Sequence, residues 1–430
     1  QYMAPNTSAE SAVNILIIGG GGREHALAWA FAQNPKCDRL FCAPGNAGIS
    51  EIADCLALDI LDGRRILAFA AENAVDFVVI GPEAPLAEGI ADTLRAGGLL
   101  TLGPGRDAAR LEASKAFTKE ICAAGGIPAA AGATFTDADA ARAFTAQQGA
   151  PTVIKADGLA AGKGVTVCQD ISEAYAALDA IFAAGPGARV VIEEFMQGEE
   201  ASLFVLAHGE EILPLGTAQD HKRAFDGDLG PNTGGMGAYS PAPVVTEEVT
   251  EAALEQIVRP TLAEMVRRGT PFEGVLYAGL MIDDGLPRLV EYNVRFGDPE
   301  AQVLAMRLGA QLLEACLACA EHRLADARVN WAPDAAMSVV MAANGYPGSY
   351  ARGEQIGLPG KLDPRVQIFH AGTKLDGTNL VSNGGRVLSV SARGGDLATA
   401  RSLAYEALDG IDWPGGYARQ DIGWRALQTR

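Results

Sequence analysis

The sequence has 430 residues, 48% hydrophobic and 20% charged, so it is long enough for roughly two to four domains. Its net charge of −19 excludes a broad surface for nucleic acid or an anionic membrane, and seven cysteines in so long a chain argue against a disulfide scaffold. No apolar run approaches the ~18–20 residues of a membrane span, and the first ten residues lack signal-peptide features. These properties predict a soluble cytoplasmic protein with a flexible tail at residues 1–12.

The N-terminal part of the chain alternates strands with helices. The predicted elements are strands at residues 13–18, 40–42, 77–80 and 99–102 and a helix at 23–33. Strands separated by helical patterns indicate βαβ units on a parallel sheet. We therefore predict a doubly wound parallel α/β lobe over residues 13–105.

A small α/β segment follows, and the pattern then changes to hairpins. The segment has predicted strands at 152–156, 165–168 and 190–194 and helices at 138–147 and 172–182. The two predicted hairpins pair 201–206 with 212–215 and 275–282 with 288–293. The second hairpin turns on Asp284 and Gly285, a pair that favours a two-residue turn. From residue 335 on, short strands, Gly-rich turns and a helix at 398–408 predict a separate α+β lobe.

Cys316 and Cys319 form a C-x-x-C pair inside an Ala-rich helical stretch. No second pair completes a metal site, so burial as small side chains is the favoured interpretation.

Four glycines at positions 19–22 lie between the first strand and the first helix. Backbone amides and the positive end of a helix dipole can face an anion at such a turn. The dinucleotide pattern G-x-G-x-x-G does not fit, because the position three after Gly21 is Glu24. Arg23, directly after the glycines, favours a single phosphate. An ordinary tight turn remains the alternative, and His25 is interpreted as a structural hydrogen-bonding residue.

A second glycine-rich loop joins two strands of the small segment. It contains Gly158, Gly162 and Gly164 and is flanked by Lys155 and Lys163. Such a loop can fold over a triphosphate, with backbone amides as donors and the lysines as point charges. It is not a Walker loop, because the order G-x-x-x-x-G-K-[ST] is absent. A surface hairpin remains the alternative interpretation.

Charged residues end and follow the second hairpin. Glu291 and Asn293 alternate on one strand and so share a face, where both offer the oxygen ligands that magnesium prefers. Arg295 and Asp298 come shortly after them. Polar residues on an exposed face would give the same pattern, but this density of charge beside an apolar strand favours a site.

A charged segment at residues 220–223, with the sequence D-H-K-R, precedes a glycine-rich loop at 230–237. The length and glycine content of this loop inside a compact domain indicate a function. The charges suit an anionic or zwitterionic substrate, and a solvated loop is the alternative.

Seven motifs occur in an order that resembles one family from Val13 to Trp424. They are G-G-G-G-R-E-H-A at 19–26, A-P-G-N-A-G at 43–48, G-P-E-A-P-L at 81–86, K-A-D-G-L-A-A-G-K-G-V at 155–165, D-H-K-R at 220–223, G-P-N-T-G-G-M-G-A-Y-S-P at 230–241 and N-V-R-F-G-D-P-E at 293–300. Together they resemble the phosphoribosylamine–glycine ligases. H-A-G-T at 370–373 and N-G-G-R at 383–386 are similar to the C-terminal lobe of that family, and the chain resembles its monofunctional bacterial form.

The resemblance implies an ATP-grasp fold, α/β and α+β in class, with four lobes. These are an N-terminal phosphoribosylamine-binding lobe at 13–105, a central lobe at 106–127 and 195–331, a small hinged lobe at 128–194 and a C-terminal lobe at 332–430. The implied activity is ATP-dependent ligation of glycine to 5-phosphoribosylamine through a glycyl phosphate, in de novo purine biosynthesis. The implied enzyme is a monomer or weak dimer that acts on small molecules and binds neither nucleic acid nor membrane.

The resemblance also implies roles for individual residues. ATP is expected at Lys115, Lys155, Gly158, Gly162, Lys163, Gly164, Glu193, Glu194, Phe195 and Glu200. Phosphoribosylamine is expected at Gly20, Gly21, Gly22, Arg23, Glu24, Asn46 and Glu83. Glycine and its acyl phosphate are expected at Asp220, Lys222, Arg295 and Asp298. The metal ion, Mg²⁺ or Mn²⁺, is expected at Glu291 and Asn293.

Two positions depart from the patterns of related enzymes. The family usually has a small polar residue where this chain has Gly20, which puts one contact with the phosphate in doubt. Some related ATP-grasp enzymes carry an acid on the strand before the Glu-x-Asn pair, whereas here residues 279–282 are apolar until Asp283. Only two side-chain metal ligands are therefore predicted.

Three other functions compete with this interpretation. A nicotinamide oxidoreductase would explain the first βα unit but fails on glycine spacing. Another ATP-grasp carboxylate–amine ligase would share the architecture but lack the motifs at 220–223 and 230–241. A non-catalytic nucleotide sensor would be expected to have lost Glu291, Asn293 or Lys155, and all are present.

Overall fold

The computed structural model describes residues 12–159 and 164–428. Nearly all of the predicted N-terminal tail, and Gly162 and Lys163 of the predicted triphosphate loop, lie outside the described residues.

The N-terminal lobe is built on a five-stranded parallel sheet in the order β3-β2-β1-β4-β5. Its elements are β1 (Val13–Gly19), α1 (Gly22–Ala32), β2 (Cys37–Pro44), β3 (Asp54–Cys55), α2 (Gly63–Glu72), β4 (Phe77–Ile80), α3 (Glu83–Ala87), α4 (Ile90–Ala96) and β5 (Leu100–Leu102). The central strands β1 and β4 are rich in Val and Ile because helices cover both faces of a parallel sheet. The predicted parallel βαβ arrangement is confirmed.

Two helices lead from this lobe into a small antiparallel sheet with the order β6-β9-β7-β8. The elements are α5 (Arg106–Ala113), α6 (Lys115–Gly125), β6 (Gly132–Phe135), α7 (Ala138–Gln148), β7 (Thr152–Ala156), β8 (Val165–Cys168), α8 (Ile171–Phe182) and β9 (Val190–Glu194). The bounds of β7, β8 and β9 are those predicted from the sequence. Asp137 and Asp170 cap α7 and α8 with their side chains, which sets where these helices begin.

The central lobe carries long antiparallel strands and four helices. Its elements are β10 (Glu199–His208), β11 (Glu211–Asp220), β12 (Arg223–Phe225), β13 (Leu229–Asn232), β14 (Gly237–Ser240), α9 (Glu247–Ala253), α10 (Arg259–Arg267), β15 (Glu273–Asp283), β16 (Leu286–Asn293), α11 (Glu300–Leu308) and α12 (Gln311–Ala320). The predicted turn of the second hairpin is confirmed. Asp284 and Gly285 have φ angles of 48° and 75°, as a tight turn between twisted strands requires.

The C-terminal strands continue the sheet of the central lobe. The elements are β17 (Ala335–Ala343), β18 (Val366–His370), β19 (Thr373–Asp376), β20 (Asn379–Ser382), β21 (Arg386–Gly394), α13 (Leu397–Asp409), β22 (Gly416–Tyr417) and α14 (Trp424–Leu427). The short strand β14 pairs with β11 on one side and β17 on the other, so one nine-stranded sheet spans both lobes. The C-terminal lobe keeps a hydrophobic core of its own under α13, yet its backbone is joined to the central lobe.

Helix α11 lies where the lobes meet, and all nine of its residues are buried. It packs against α1 of the N-terminal lobe, β11 and β14 of the central lobe and β17 and β21 of the C-terminal lobe. Cys316 and Cys319 on the neighbouring α12 are both fully buried, which confirms their interpretation as packing residues. Among the described residues, no single helix is long and apolar enough to cross a membrane, and α11 and α12 meet the length and composition criteria only as a pair bent by 107°.

We predict that Leu304→Ala will destabilise the protein by about 2–5 kcal/mol, because Leu304 on α11 is fully buried and truncation leaves a cavity where the lobes meet. The free energy of unfolding in urea measures the effect. The matched control is Leu375→Ala in the β19–β20 hairpin, where the same side chain is 56% exposed and the expected change is within about 0.5 kcal/mol. Equal losses in the two variants would contradict the central packing role of α11.

Candidate active site

Several residues expected to bind phosphoribosylamine lie at the carboxyl edge of the N-terminal sheet. The glycine turn follows β1, Asn46 follows β2 and Glu83 follows β4. Parallel strands bring their carboxyl ends to one edge, which is where α/β sheets bind ligands. The fold therefore brings these residues together.

Glu24 lies beneath the glycine turn. Its side chain accepts a hydrogen bond from the backbone amide of Gly21 at 2.6 Å and another from Nε of Arg23 at 2.6 Å, and the residue is 1% exposed. Nη1 of Arg23 donates to the carbonyl of Phe296 at 3.1 Å. The carboxylate of Glu24 thus holds the turn and its arginine in place, and its contact with phosphoribosylamine stays a prediction.

Gly20 packs closely against the backbone of Gly45, and its carbonyl is hydrogen-bonded to Asn46. A Cβ atom at Gly20 would collide with the carbonyl oxygen of Gly45, so the turn leaves no room for the small polar side chain of related enzymes. The side-chain amide of Asn46 donates to the carbonyl oxygens of Gly20 at 2.9 Å and His370 at 2.8 Å. Asn46 therefore ties the turn to the C-terminal lobe through the same groups that were expected to contact substrate.

His25 is structural, as predicted. Its Nδ1 accepts a hydrogen bond from the backbone amide of His370 at 2.7 Å, which joins α1 to β18. Burial, together with the neighbouring His370 ring, lowers the pKa of His25 to about 3, so it is neutral at physiological pH.

Arg386 of the C-terminal lobe reaches the turn and was not among the expected site residues. Its Nη1 donates to the carbonyl of Asp298 at 2.6 Å and to that of Gly234 at 2.7 Å. The carboxylate of Asp298 also accepts a hydrogen bond from the side chain of Gln302 at 2.8 Å. Burial alone would raise the pKa of Asp298, but Arg386 and Arg23 outweigh it, and the pKa is lowered.

Arg295 is held by two carboxylates. Its Nη2 donates to Glu112 at 2.8 Å and to the side-chain oxygen of Asn293 at 3.1 Å, and its Nε lies 3.5 Å from Glu83. Burial would raise the pKa of Glu83, but Arg295, Arg23 and Arg386 outweigh it and the pKa is lowered. Nε of Arg295 is buried and makes no hydrogen bond within the described part of the chain, where Glu83 is its ion-pair partner.

Lysines from two lobes meet at the predicted ATP cleft. Nζ of Lys155 on β7 lies 2.6 Å from Glu193, and Nζ of Lys119 on α6 lies 3.0 Å from the same carboxylate. Nζ of Lys115 donates to the carbonyl of Gly158 at 2.9 Å. Burial lowers the pKa of Lys115 although nearby Glu291 opposes the change. The fold therefore brings three ammonium groups to one cleft.

The end of β9 connects the small and central lobes. The side chain of Glu194 accepts a hydrogen bond from the backbone amide of Ala131 at 2.9 Å and pairs with Arg288. The Phe195 side chain beside it is exposed. Glu194 thus fastens this connection with its side chain.

A small polar pocket lies between β10, β11, β15 and β16. Lys222 lies at its centre, with Nζ 2.8 Å from Glu200 and 3.9 Å from Glu291. Burial raises the pKa of Asp220 to about 7, with Glu300 adding to the rise and Lys222 opposing it. The pocket therefore combines a fixed cation with a carboxyl group that titrates near neutral pH.

The residues expected at the site thus lie in two groups, one at the glycine turn and one in the cleft between the small and central lobes. Arg23, Glu83, Arg295 and Asp298 lie at the glycine turn, and the fold adds Glu112 and Arg386 to them. Lys115, Lys155, Glu193, Glu200, Lys222 and Glu291 line the cleft between the small and central lobes, where Lys119 joins them. The backbone positions Gly158 and Gly164 frame the loop whose middle residues lie outside the described range.

Three family models match the chain in order and cover most of it. They are the phosphoribosylglycinamide synthetase N domain at residues 13–112, the ATP-grasp (A) domain at 113–301 and the C domain at 336–425. The chain belongs to the phosphoribosylglycinamide synthetase family. Its fold class is therefore that of the ATP-grasp enzymes, α/β and α+β, as predicted.

Similar proteins match over nearly the full length. The phosphoribosylamine–glycine ligase of Mesorhizobium japonicum is 55% identical, with 96% of this chain and 99% of that protein covered. The ligase of Rhizobium meliloti is 51% identical with the same coverage. The crystal structure of the phosphoribosylamine–glycine ligase from Thermotoga maritima has a TM-score of 0.83 at 33% identity, covering 95% of this chain and 100% of that one. The matches extend over all lobes and not only over the ATP-grasp core.

Three residues that lie at the site were not predicted, namely Arg386, Lys119 and Glu112. The sequence carries a different amount of information about each. Arg386 ends the N-G-G-R motif, so its motif was noticed although its pairing with Asp298 was not. Lys119 lies one turn after Lys115 on α6, a spacing that puts both on one helix face. Glu112 stands on α5 without a neighbouring motif, and only the fold brings it to Arg295.

We predict that Asp220→Asn will flatten the dependence of stability on pH. Because the pKa of Asp220 is raised, the folded protein retains a proton that the unfolded chain releases between about pH 4 and about pH 7. The stability contributed by this residue is therefore full at the acidic end and is lost as pH rises through about 7. Asparagine cannot ionise, so the variant should lose less stability over this interval than the wild type.

The measurement is the free energy of unfolding of metal-free protein across that interval. Asp409→Asn, an exposed acid at the end of α13, is the control and should follow the wild type. A variant at position 220 that also follows the wild type would show that the Asp220 carboxyl ionises normally.

Proposed function

We propose that this protein joins glycine to 5-phosphoribosylamine with ATP, giving glycinamide ribonucleotide, ADP and phosphate in a cytoplasmic step of de novo purine biosynthesis. The observation that carries the proposal is the convergence of the lobes on the glycine turn. Arg23, Asp298 and Arg386 come from the N-terminal, central and C-terminal lobes and meet there. Relatives that match over the same full length are phosphoribosylamine–glycine ligases.

In this proposal the phosphate of phosphoribosylamine lies at the glycine turn. The N-terminus of α1 directs backbone amides there, and its dipole favours an anion. Arg386 and Arg295 add positive charge from two other lobes. Glu83 and Asp298, whose pKa values are both lowered, are carboxylates at neutral pH and would accept hydrogen bonds from the substrate amine.

ATP would lie between the small and central lobes. Lys115 and Lys155 would contact its phosphates, and the loop from Gly158 to Gly164 would cover them. The backbone of Glu193, Glu194 and Phe195, at the end of β9, would bind adenine. Glu200 would take the ribose, since its carboxylate lies at the edge of the pocket that holds Lys222.

A divalent metal ion fits the donor chemistry at Glu291 and Asn293. A carboxylate and an amide oxygen on one strand, completed by substrate phosphates, are the usual protein ligands of Mg²⁺. The oxygen of Asn293 accepts one hydrogen bond from Arg295 and has a second lone pair for an ion. When bound, Mg²⁺ or Mn²⁺ would offset the negative charge that develops on the transferring phosphoryl group.

The remaining chemistry is positioning and electrostatic stabilisation. A carboxylate is a poor electrophile, so glycine is first phosphorylated by ATP, and the amine of phosphoribosylamine then displaces phosphate from the glycyl phosphate. The guanidinium group of Arg295 would stabilise the acyl phosphate, and Lys222 and Asp220 would hold the carboxylate and ammonium groups of glycine. Burial between the lobes would keep water from the intermediate.

The proposal is tested by measuring ADP and phosphate release from ATP while each substrate is omitted in turn. Phosphoribosylamine is generated in place from ribose 5-phosphate and ammonia. We expect release to require glycine and phosphoribosylamine together, with a glycinamide ribonucleotide product detected by mass. Release that depends on another acid or amine would assign a different ATP-grasp ligase activity, and nucleotide binding without release would assign a sensor.

Replacing Glu291 tests the metal site. We expect Glu291→Gln to raise the free Mg²⁺ concentration needed for half-maximal rate by roughly tenfold or more, because an amide oxygen binds a divalent cation more weakly than a carboxylate. Initial rates at saturating ATP measure this requirement. Asp283→Asn on the neighbouring strand is the control, and an unchanged requirement is expected there. The opposite pattern would move the metal ligand to Asp283.

A further inference from the structure

A second group of potential metal ligands lies far from the candidate active site. His208 ends β10 and Glu273 begins β15, and these residues are directly paired in the antiparallel ladder. His322 follows α12 and completes the group. Glu200, in the ATP cleft, lies eight residues away along the same strand, roughly 26 Å at about 3.3 Å per residue.

The ligand atoms already converge. One nitrogen of each imidazole and one oxygen of Glu273 lie within 4.8 Å of one another, and Nε2 of His322 lies 3.6 Å from the carboxylate. Ligands about 2.1 Å from a tetrahedral metal ion are about 3.4 Å apart. The two rings are stacked with 15° between their planes, so the 55% exposed His322 side chain must turn out of the stack for both in-plane lone pairs to point at one ion.

The backbone at His322 is unusual for a residue with a side chain. Its φ angle is 58°, in the left-handed region, and the amide of Arg323 donates back to the carbonyl of Ala318 at 2.7 Å to end α12. Glycine or asparagine is the common residue at such a helix end. Here an imidazole occupies the position and is directed onto the ring of His208, with the ring centroids 3.8 Å apart.

Glu273 is oriented by a residue of another lobe. Nη2 of Arg95 on α4 lies 3.1 Å from one carboxylate oxygen, and the other oxygen faces His322. Arg95 also donates to the carbonyl of Thr101 at 3.2 Å, which fixes its position. A partner that holds a ligating carboxylate in place is a regular feature of protein metal sites.

The other histidine pair provides a contrast. The Nδ1 atoms of His25 and His370 are both engaged, by the His370 amide and by the hydroxyl of Thr373, and the pair is buried. Within residues 12–159 and 164–428, the group at His208 is the one set of three or more His, Cys, Asp or Glu side chains whose ligand atoms converge.

We propose that His208, Glu273 and His322 bind one divalent transition-metal ion, of the class of Zn²⁺, with water completing its coordination. Two imidazoles and one carboxylate favour Zn²⁺, Co²⁺ or Ni²⁺ over Mg²⁺, which prefers oxygen ligands. The ion joins the end of α12 to the β10–β15 ladder and, through Arg95, to the N-terminal lobe. Its role is to stabilise this junction, at a distance from the ligase chemistry.

The test uses full-length, tag-free protein treated with a chelator and then kept in excess Mg²⁺, which occupies the active-site ligands. Zn²⁺ is titrated by calorimetry, and Co²⁺ is titrated by visible absorption, which reports the coordination geometry. We expect one Zn²⁺ ion per chain and a rise in melting temperature. In His322→Asn and His208→Asn the affinity should fall more than about 100-fold and the rise should vanish.

The variants are chosen so that a loss of Zn²⁺ binding can be attributed to the missing imidazole. Asparagine tolerates the left-handed backbone at position 322, so His322→Asn removes the imidazole without adding strain. Glu321→Gln removes an adjacent carboxylate that pairs with Arg323, and it should bind Zn²⁺ like the wild type. ADP release with Mg²⁺ should be unchanged in His322→Asn. Zn²⁺ binding that is absent from the wild type, or as tight in both histidine variants as in the wild type, would overturn the proposal.

Discussion

The burial of the Asp298 carboxylate against the glycine turn is the constraint on which the assembled site depends. A buried charge is costly unless its partners are in place. Here Arg386 comes from the C-terminal lobe, Gln302 from α11 and the amide of Arg23 from α1. Of these partners, only Gln302 is close to Asp298 in the sequence. The turn that is proposed to bind the substrate phosphate and the packing of the lobes are therefore stabilised by the same interactions.

One continuous segment links the two ends of the site. It begins at Glu291 on β16 in the ATP cleft, passes through Arg295 and Asp298 at the glycine turn, and ends as the buried helix α11. Because α11 packs on all three large lobes, the positions of Arg295 and Asp298 relative to both substrates are set by the core. Rigid support of this kind is what a ligase needs to hold an amine near an acyl phosphate.

Local patterns were enough to predict much of the fold. Strands β4, β7, β8 and β9 and the turn at Asp284 were predicted correctly because alternation and turn chemistry act between near neighbours. The pairing of β14 with β17 was not predicted, because the sequence of neither strand indicates which strand it pairs with. The same limit applies to side chains. A motif indicated that Glu24 and Asn46 belong to the site, but not that their polar groups face the protein backbone. Glu112 had no motif at all.

The electrostatics of the cleft resolve an apparent conflict between a net charge of −19 and anionic substrates. In the part of the chain that the structure describes, Lys115 donates to the carbonyl of Gly158, and the other cations named at the site each have a carboxylate partner. An ion pair does not use all the hydrogen-bond donors of a lysine, because its ammonium group has three N–H donors. Among the described residues, Nζ of Lys155 lies near Glu193 and the carbonyl of Val290, which leaves one donor for a phosphate oxygen. The acidic partners therefore hold Lys119, Lys155 and Lys222 in position, and in the proposed function the donors that remain would bind ATP.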